Sequence, residues 1–222
     1  MESKTMLLHS RDEIPFRCRL CGACCRNVED RIMLEPLDAY RLARLLKERG
    51  MVNSIEDVYT QYAHTTLLTE RFPIYVLNTS GDDHACVFLE DGRCSVYEAR
   101  LRVCRVYPLA VDQGQRGRRF EYHQCLDCHS SHFEGGRLQV GKWMYENFPK
   151  EDRLFFEAEC ASIPQLGLLC RDMSEAVWRG CLFTLLYYRY YNYELDRPFL
   201  EQYQCNHAAL VKELAQQIGK EQ

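Results

Sequence analysis

The chain has 222 residues, a length that fits one large domain or one domain with an appendage. Its formal net charge of −4 argues against a general nucleic-acid-binding protein, which would usually carry an excess of basic residues. The N-terminal segment lacks the long apolar core of a signal peptide, and no apolar run reaches the length of a membrane span. We therefore expect a cytoplasmic protein that binds neither nucleic acid nor membrane, with its oligomeric state open.

Two helices are predicted ahead of the first strands. Leucines near helical spacing follow Pro36, which suits a first helical turn, and Gly50 suits the C-terminal stop of this helix. The segment from Ser54 to Asp57 has the form of a capping box, which predicts a second helix running towards His64.

Short strands follow in the prediction, at residues 72–77, 85–89 and 93–97. Asp91-Gly92 is a strong hairpin turn between the last two strands. Such a hairpin would hold Cys86 and Cys94 on neighbouring strands. A short helix is then predicted over 98–107, ended by Pro108, and the polar segment 113–119 is predicted to be an exposed turn.

The second half of the chain is predicted to be mostly helical. The predicted helices cover residues 137–148, 151–161, 174–193 and 198–218. The expected fold class is α+β, with a small loop-rich metal-binding module of short strands and helices at 10–130, followed by a helical C-terminal extension packed on it at 131–222.

Cysteine is the most informative residue type, because the chain has 13 of them and four lie within eight residues. That run reads Cys18-Arg-Leu-Cys21-Gly-Ala-Cys24-Cys25. Thiols that are not exported stay reduced, so clustered cysteines predict metal ligands rather than disulfides. A two-residue gap lets both sulfurs of a Cys-x-x-Cys turn face one ion, and Gly22 permits the tight backbone of such a turn.

Cys24 and Cys25 pose a separate question, since adjacent side chains in an extended or loop backbone tend to diverge. We expect the pair either to divide between two metal centres or to ligate with one thiol and support with the other. A second group of thiols comprises Cys86, Cys94 and Cys104, and a third comprises Cys125 and Cys128. His123 and His129 bracket this third group, either as replacements for a thiolate or as polar loop residues.

Arginines recur beside the cysteines. Four thiolates around a divalent ion leave a net charge of about −2, which guanidinium groups can offset by hydrogen-bonding sulfur. The arginines expected either in this role or as ordinary surface residues are Arg17, Arg19, Arg26, Arg93, Arg102 and Arg105.

The cysteine motifs carry a family resemblance. The first run, with Phe16 before it and Arg26 after it, is similar to the signature of the Cys-x-x-Cys-x-x-Cys-Cys family, also called YkgJ-type cysteine-cluster proteins. The later stretches agree: Cys86-Val-Phe-Leu, then Asp91-Gly-Arg-Cys-Ser-Val-Tyr97, then Cys104-Arg-Val-Tyr-Pro108. The match spans roughly residues 16–128.

The resemblance implies a zinc- or iron-chelating domain, mostly bacterial or archaeal. The ligands that it implies are Cys18, Cys21, Cys24, Cys25, Cys86, Cys94 and Cys104, with Cys125 or Cys128 as an eighth. One branch of the family comprises flagellin lysine-N-methylases, which are implied to use an iron–sulfur cluster and S-adenosylmethionine. Many relatives follow their last cysteine with Pro-Gly, whereas this chain has Leu126 after Cys125 and His129 after Cys128.

Three functions therefore compete. The first is an iron–sulfur or iron enzyme, such as a protein-lysine N-methyltransferase, although the chain has neither a Cys-x-x-x-Cys-x-x-Cys triad nor a Gly-x-Gly-x-x-Gly motif. The second is a metal-binding module of unassigned reaction, with zinc as the default ion, which recognises a protein partner or substrate through its helical part. The third is a thiol redox protein using the Cys125–Cys128 pair.

The remaining cysteines and several aromatic residues are expected to serve packing. Cys160, Cys170, Cys181 and Cys205 lack ligand spacing and are predicted to be small buried hydrophobes. Trp143 and Trp178 are predicted to lie in the core. The tyrosines between 187 and 193 are expected to form core or a dimer surface, or else a substrate groove.

Overall fold

A computed structural model describes residues 5–69, 71–115, 119–126, 132, 134–171 and 173–219 of the chain. The α+β class is confirmed, with short strands and loops in the N-terminal half and a helical C-terminal half. None of the described helices combines the length and the apolar character that a bilayer span requires.

Short strands and helices are interspersed in the first 140 residues. The strands are β1 (Thr5–Leu8), β2 (Glu13–Pro15), β3 (Ala63–Thr69), β4 (Phe72–Leu77), β5 (Thr79–Ser80), β6 (Ala85–Cys86), β7 (Leu89–Glu90), β8 (Arg93–Cys94), β9 (Leu109–Gln113), β10 (Phe120–Cys125) and β11 (Arg137–Gln139). The helices are α1 (Pro36–Glu48), α2 (Ile55–Tyr62), α3 (Arg102–Val106), α4 (Val140–Asn147), α5 (Lys150–Arg171), α6 (Glu175–Leu186) and α7 (Phe199–Ile218).

The chain forms two compact units, and each is assembled from two separate segments. The first unit takes Met1–Glu29 with Thr79–Arg153, and the second takes Asp30–Asn78 with Leu154–Gln222. The predicted division into 10–130 and 131–222 stays a prediction.

The first unit is built on a three-stranded antiparallel sheet in the order β1-β10-β9. Strand β10 pairs Cys125 with Thr5 on one side and Phe120 with Gln113 on the other. Three further two-stranded pairs complete the unit: β11 with β2, β5 with β6, and β7 with β8. The predicted polar turn over 113–119 lies partly outside the described residues, which omit 116–118.

The hairpin prediction is right at the turn and wrong in its strands. Asp91 and Gly92 both have positive φ, at 48° and 74°, as a two-residue hairpin turn demands. A turn at 87–88 interrupts the expected strand, and the carbonyl of the buried Phe88 accepts a hydrogen bond from the backbone N–H of Ser95 at 2.8 Å. Cys86 therefore pairs with Thr79 on β5, while Cys94 pairs with Leu89 on β7.

The predicted helix over 98–107 is also interrupted. A 3-10 turn at Tyr97–Ala99 is followed by the extended residues Arg100 and Leu101, and only then by α3. Leu101 is 2% exposed, so its burial in the core accounts for the break. The segment still ends at Pro108, as expected.

The second unit confirms the predicted helices α1 and α2. Pro36 occupies the first turn of α1, and the capping box at α2 has both of its hydrogen bonds, between Ser54 and Asp57. Strand β4 confirms the prediction for 72–77 and pairs with β3. The core of this unit gathers apolar side chains from β4, from three helices and from the connection between α5 and α6: Phe72, Ile74, Val76, Leu166, Cys170, Met173, Cys181, Leu185, Leu210 and Leu214.

The helical half departs from prediction at three helix boundaries. Residues 137–139 form β11 before α4 begins, because they pair with β2. Helix α5 continues through Pro164 to Arg171, since Leu166 and Cys170 anchor its second half in the core. Helix α6 gives way to a π-helical turn at Tyr187–Tyr191, whereas α7 is confirmed.

The packing predictions for the scattered cysteines and aromatic residues hold only in part. Cys170 and Cys181 are buried as expected, but Cys205 is exposed on α7 and Cys160 is half-buried. Trp143 and Trp178 are partly buried rather than fully enclosed, and each indole N–H donates to a backbone carbonyl. Among the tyrosines of the π-helical region, Tyr190 and Tyr193 are buried, at 1% and 7% exposure.

A buried ion pair lies at that π-helical turn in the second unit. The Arg189 guanidinium donates to Glu159 at 2.6 Å, and both side chains are 6% exposed. The Tyr203 hydroxyl donates to the other Glu159 oxygen at 2.8 Å and exchanges a 2.9 Å hydrogen bond with Ser162. The charges are therefore embedded in a network that supplies hydrogen-bond partners to both.

Replacing Glu159 with Leu is expected to lower the free energy of unfolding by about 3–5 kcal/mol, because it leaves the Arg189 charge buried without its carboxylate. Urea unfolding followed by circular dichroism measures the change. The double variant Glu159→Leu with Arg189→Met removes both charges and should recover most of the loss. A double variant as unstable as Glu159→Leu would contradict this account.

Candidate metal centre

The first cysteine run adopts a tight turn in the first unit. Gly22 has the left-handed φ of 67°, and a 3-10 turn follows at Ala23–Cys25. The backbone N–H of Cys25 donates to the carbonyl of Gly22 at 3.0 Å. Glycine adopts this backbone without steric cost, so the expectation that Gly22 permits a compact turn is confirmed.

Gly22 also brings the turn into contact with the β7–β8 hairpin. A Cβ atom built on Gly22 would lie 2.6 Å from the carbonyl oxygen of Gly92 and 2.7 Å from a methyl carbon of Leu89. Real Cβ atoms do not approach backbone oxygens this closely. Only a residue without a side chain therefore lets the cysteine run and the hairpin meet at this distance.

The chain after the run is fixed to the loop ahead of β6. The backbone N–H of Asn27 donates to the Asp83 carbonyl at 2.7 Å, and that of Val28 donates to the His84 carbonyl at 3.1 Å. Arg26 forms an ion pair with the Asp83 carboxylate. These contacts hold the cysteine run beside the strand that carries Cys86.

Five thiols from three chain segments interact in this region. Cys24 and Cys25 share a hydrogen bond. Cys25 also interacts electrostatically with Cys86 and Cys104, and Cys94 interacts with Cys24. The first run and the strand pairs thus contribute two thiols each, and α3 contributes one. These five residues are called the thiol cluster below: Cys24, Cys25, Cys86, Cys94 and Cys104.

The interactions within the thiol cluster separate the pKa values of its members. The hydrogen bond from Cys25 lowers the pKa of Cys24 to about 7, and the Arg100 charge acts in the same direction. The same hydrogen bond raises the pKa of Cys25, as do burial and the neighbouring thiols. Burial is the main cause that raises the pKa values of Cys86 and Cys94.

Cys24 and Cys25 both lie in the 3-10 turn, and Cys25 is the largest influence on the pKa of Cys24. Whether the pair divides between two metal centres, or ligates with one thiol and supports with the other, stays a prediction. Which of the nine predicted ligands bind metal stays a prediction.

Three of the arginines, which were expected either to face sulfur or to be ordinary surface residues, have carboxylate partners. Arg26 pairs with Asp83, and Arg19 lies 3.9 Å from Glu134. Arg105 pairs with the fully buried Asp152. For Arg17, Arg93 and Arg102 the role beside sulfur stays a prediction.

Arg100 is the residue that sequence reasoning missed in this role. Its charge lowers the pKa values of both Cys24 and Cys94. Its guanidinium lies over the Tyr97 ring at 3.7 Å from the centroid, and its Nε donates to the Tyr97 carbonyl at 3.2 Å. Arg100 is not next to a cysteine in sequence, so proximity along the chain gave no signal for it.

The structure describes no interaction between the thiol cluster and the other predicted ligands. Cys18 and Cys21 are exposed, and Cys125 is half-buried at the end of β10. Cys128 and His129 lie outside the described residues. His123 lies on β10, where its Nε2 is 3.3 Å from an Asp112 oxygen, so it pairs with a carboxylate.

Sequence reasoning also gave no role to His132. Its Nε2 lies 3.3 Å from the sulfur of Cys21, and its Nδ1 lies 3.0 Å from the hydroxyl of Tyr107. A signal was available, because His132 follows Cys128 after three residues in the segment that departs from the family pattern.

The donor chemistry of the thiol cluster fits zinc or iron, both of which accept thiolate ligands. The side chains stand apart as they are placed: among the described residues, no three His, Cys, Asp or Glu side chains form a group that could hold a metal ion. Binding would therefore require the thiols to turn towards a common centre.

A family model matches residues 17–130, just over half of the chain. The model is CxxCxxCC, and its description is "Putative zinc- or iron-chelating domain". No curated protein and no solved structure gives a significant match. The matched range contains the whole thiol cluster and ends two residues before His132.

Replacing Gly22 with Ala is expected to destabilise the protein more than replacing Gly92 with Ala. Both glycines have a left-handed φ, near 67° and 74°, so both variants carry a backbone cost of roughly 1–2 kcal/mol. Only at Gly22 does the new methyl group also collide with backbone. Urea unfolding of both variants measures the difference, and equal stability would contradict the close approach.

Alkylation of Cys24 in metal-free protein is expected to be half-maximal near pH 7, because its pKa is lowered to about 7 and the thiolate is the nucleophile. Mass spectrometry after brief iodoacetamide treatment at several pH values measures the profile. Replacing Cys25 with Ala removes the hydrogen bond, so the midpoint for Cys24 should move to higher pH. An unchanged midpoint in that variant would show that Cys25 does not set this pKa.

Proposed function

The chain belongs to the CxxCxxCC family of zinc- or iron-chelating domains, and on this premise we propose that its first unit binds metal through the thiol cluster. The cluster comprises Cys24, Cys25, Cys86, Cys94 and Cys104. The observation that carries the proposal is the electrostatic interaction among thiols from three distant segments.

The electrostatics of the thiol cluster support a cation there. Neighbouring thiols raise the pKa values of Cys25, Cys86 and Cys94, because each thiolate disfavours the next. A bound cation reverses this effect, since it stabilises every thiolate that coordinates it. Without a metal, the arrangement therefore disfavours the negative charge of the thiolates. With a bound cation, the same thiolates are stabilised.

Zinc is the ion that we propose first. Closed sites made only of thiolates are the usual structural zinc sites, and they take four ligands. Five thiols exceed the needs of one such ion, so one of them serves a second ion or supports the site without ligating. The pair Cys24 and Cys25 is the natural place for this division, because only one of two coupled thiols ionises readily.

The proposed role of the ion is to hold the loops of the first unit together. The strands β6 and β8 that carry Cys86 and Cys94 have only two residues each, so their hydrogen bonds provide little stability. Coordination would link these strands with the first cysteine run and with α3. Binding free energy at such a site is also folding free energy.

A protein partner remains part of the proposal, recognised by the helical part of the chain. Support comes from α6 and the turn after it, where Phe183 is 72% exposed and stacks on Tyr187, with ring centroids 6.1 Å apart. Exposed aromatic residues of this kind are enriched at protein interfaces.

The alternative proposal is an iron–sulfur-dependent protein-lysine N-methyltransferase that uses S-adenosylmethionine. It rests on the family resemblance and on the suitability of thiolates for iron–sulfur clusters. The metal of the purified protein separates the two ideas, because a cluster absorbs broadly in the visible range and zinc does not.

Protein purified without oxygen is expected to be colourless and to contain stoichiometric zinc, measured by mass spectrometry of the metal content. The variants Cys86→Ser and Cys104→Ser should lose zinc, because each removes a thiol of the cluster outside the Cys24–Cys25 pair. Cys205→Ser is the matched control, since Cys205 is exposed on α7 in the second unit, and it should keep the metal.

Brown protein that contains iron and sulfide would instead support the methyltransferase alternative. Protein without stoichiometric zinc or iron would overturn the proposed function. Full metal content in both Cys86→Ser and Cys104→Ser would contradict the assignment to the thiol cluster.

A further inference from the structure

A buried histidine faces the first cysteine run from outside the thiol cluster. His132 is 4% exposed, and its Nε2 lies 3.3 Å from the sulfur of the exposed Cys21. Burying an imidazole without polar partners is costly. The thiol of Cys21 therefore provides Nε2 with a polar partner inside the protein.

The second ring nitrogen of His132 is occupied by a hydrogen bond. Its Nδ1 lies 3.0 Å from the Tyr107 hydroxyl. When Nδ1–H donates to this oxygen, the tautomer is fixed and the Nε2 lone pair points at Cys21. Histidines that ligate metals commonly hold their other nitrogen in this way.

The imidazole is also fixed by its surroundings. The carbonyl of His132 accepts a hydrogen bond from the backbone N–H of Arg17 at 3.1 Å. The rings of Phe16 and Tyr107 meet the imidazole edge to face, at centroid distances of 6.3 and 5.8 Å. Next to this site, a Cβ atom on Gly136 would lie 2.7 Å from the Phe16 carbonyl oxygen, so the two segments are closely packed.

The distance between sulfur and nitrogen is that of a direct hydrogen bond and is slightly shorter than a shared ion requires. Zinc binds sulfur at about 2.3 Å and nitrogen at about 2.0–2.1 Å, so tetrahedral geometry separates the two ligand atoms by about 3.6 Å. The observed 3.3 Å falls short of this by only a few tenths of an ångström. A small rotation of the Cys21 side chain would therefore accommodate an ion between them.

We propose that His132 is a nitrogen ligand of the metal centre, acting with Cys21 and Cys24. The spacing of Cys21 and Cys24 lets both sulfurs face one ion. Cys24 would join this ion to the thiol cluster once the three side chains turn together, because as they are placed no three such side chains among the described residues form a group that could hold a metal ion. The inference rests on the proposed function and refines it: the centre binds zinc or iron through sulfur and nitrogen together. Tyr107 acts as a positioning residue that orients the imidazole.

The contrast with His123 supports this choice. His123 belongs to the same unit but lies on β10, with its Nε2 directed to Asp112. It is therefore engaged by a carboxylate, whereas His132 is directed at a thiol. The substitution His123→Ala provides a matched control.

X-ray absorption spectroscopy of the full-length protein, at the edge of the metal that it contains, tests the proposal. The wild-type protein and His123→Ala should show a nitrogen neighbour at about 2.0–2.1 Å beside the sulfur neighbours. His132→Ala should lose the nitrogen signal. His132→Cys should retain metal with sulfur neighbours alone, and it provides the answer if His132→Ala does not fold.

Zinc affinity, measured by competition with a chromophoric chelator, tests the positioning role. Tyr107→Phe keeps the ring but removes the hydroxyl, so zinc affinity should fall by about 10- to 100-fold. The nitrogen signal should persist in that variant, because the ligand itself is present. An affinity equal to that of the wild type would overturn the positioning role of Tyr107.

The outcomes distinguish this inference from the proposed function. Wild-type protein without metal defeats the proposed function. Metal bound by sulfur alone in the wild type, or a nitrogen signal unchanged in His132→Ala or His132→Cys, defeats the assignment of His132 while the thiol cluster stands.

Discussion

The thiol cluster depends on the approach of Gly22 to the carbonyl of Gly92. Both glycines have a left-handed backbone, but only at Gly22 would a side chain collide with the hairpin, so the absence of a side chain there lets the cysteine turn and the hairpin meet. The hydrogen bonds of Asn27 and Val28 then fix the chain that leaves the turn. This backbone arrangement brings together thiols that are about 60 to 80 residues apart in sequence, before any metal is considered.

The two units differ in how their charged groups are compensated. In the second unit, Arg189 and Glu159 satisfy each other, and Tyr203 supplies a further hydrogen bond, so the network is complete without a ligand. In the first unit the thiols of Cys25 and its neighbours disfavour one another's ionisation, and Arg100 offsets this only in part. A metal ion is the partner that this second arrangement suits.

His132, the proposed nitrogen ligand, lies in the first unit two residues beyond the range that the family model matches. Its imidazole is held by Tyr107 on one side and directed at Cys21 on the other, within an aromatic setting that includes Phe16. A centre with a nitrogen ligand carries less negative charge than one of thiolates alone, so it needs less compensation from arginine. This agrees with the finding that Arg26 and Arg105 pair with carboxylates.

The sequence by itself determined the features that local chemistry encodes: the capping box at Ser54, the hairpin turn at Asp91, the compact turn at Gly22 and the membership of a metal-binding family. It did not determine the break at residues 87–88, the contact between Cys24 and Cys25, the part played by Arg100 or the orientation of His132. Caps and turns depend on a few adjacent residues, so their signals are complete within a short segment. The other features depend on which side chains are buried and on which distant segments meet, and only the tertiary structure decides those contacts.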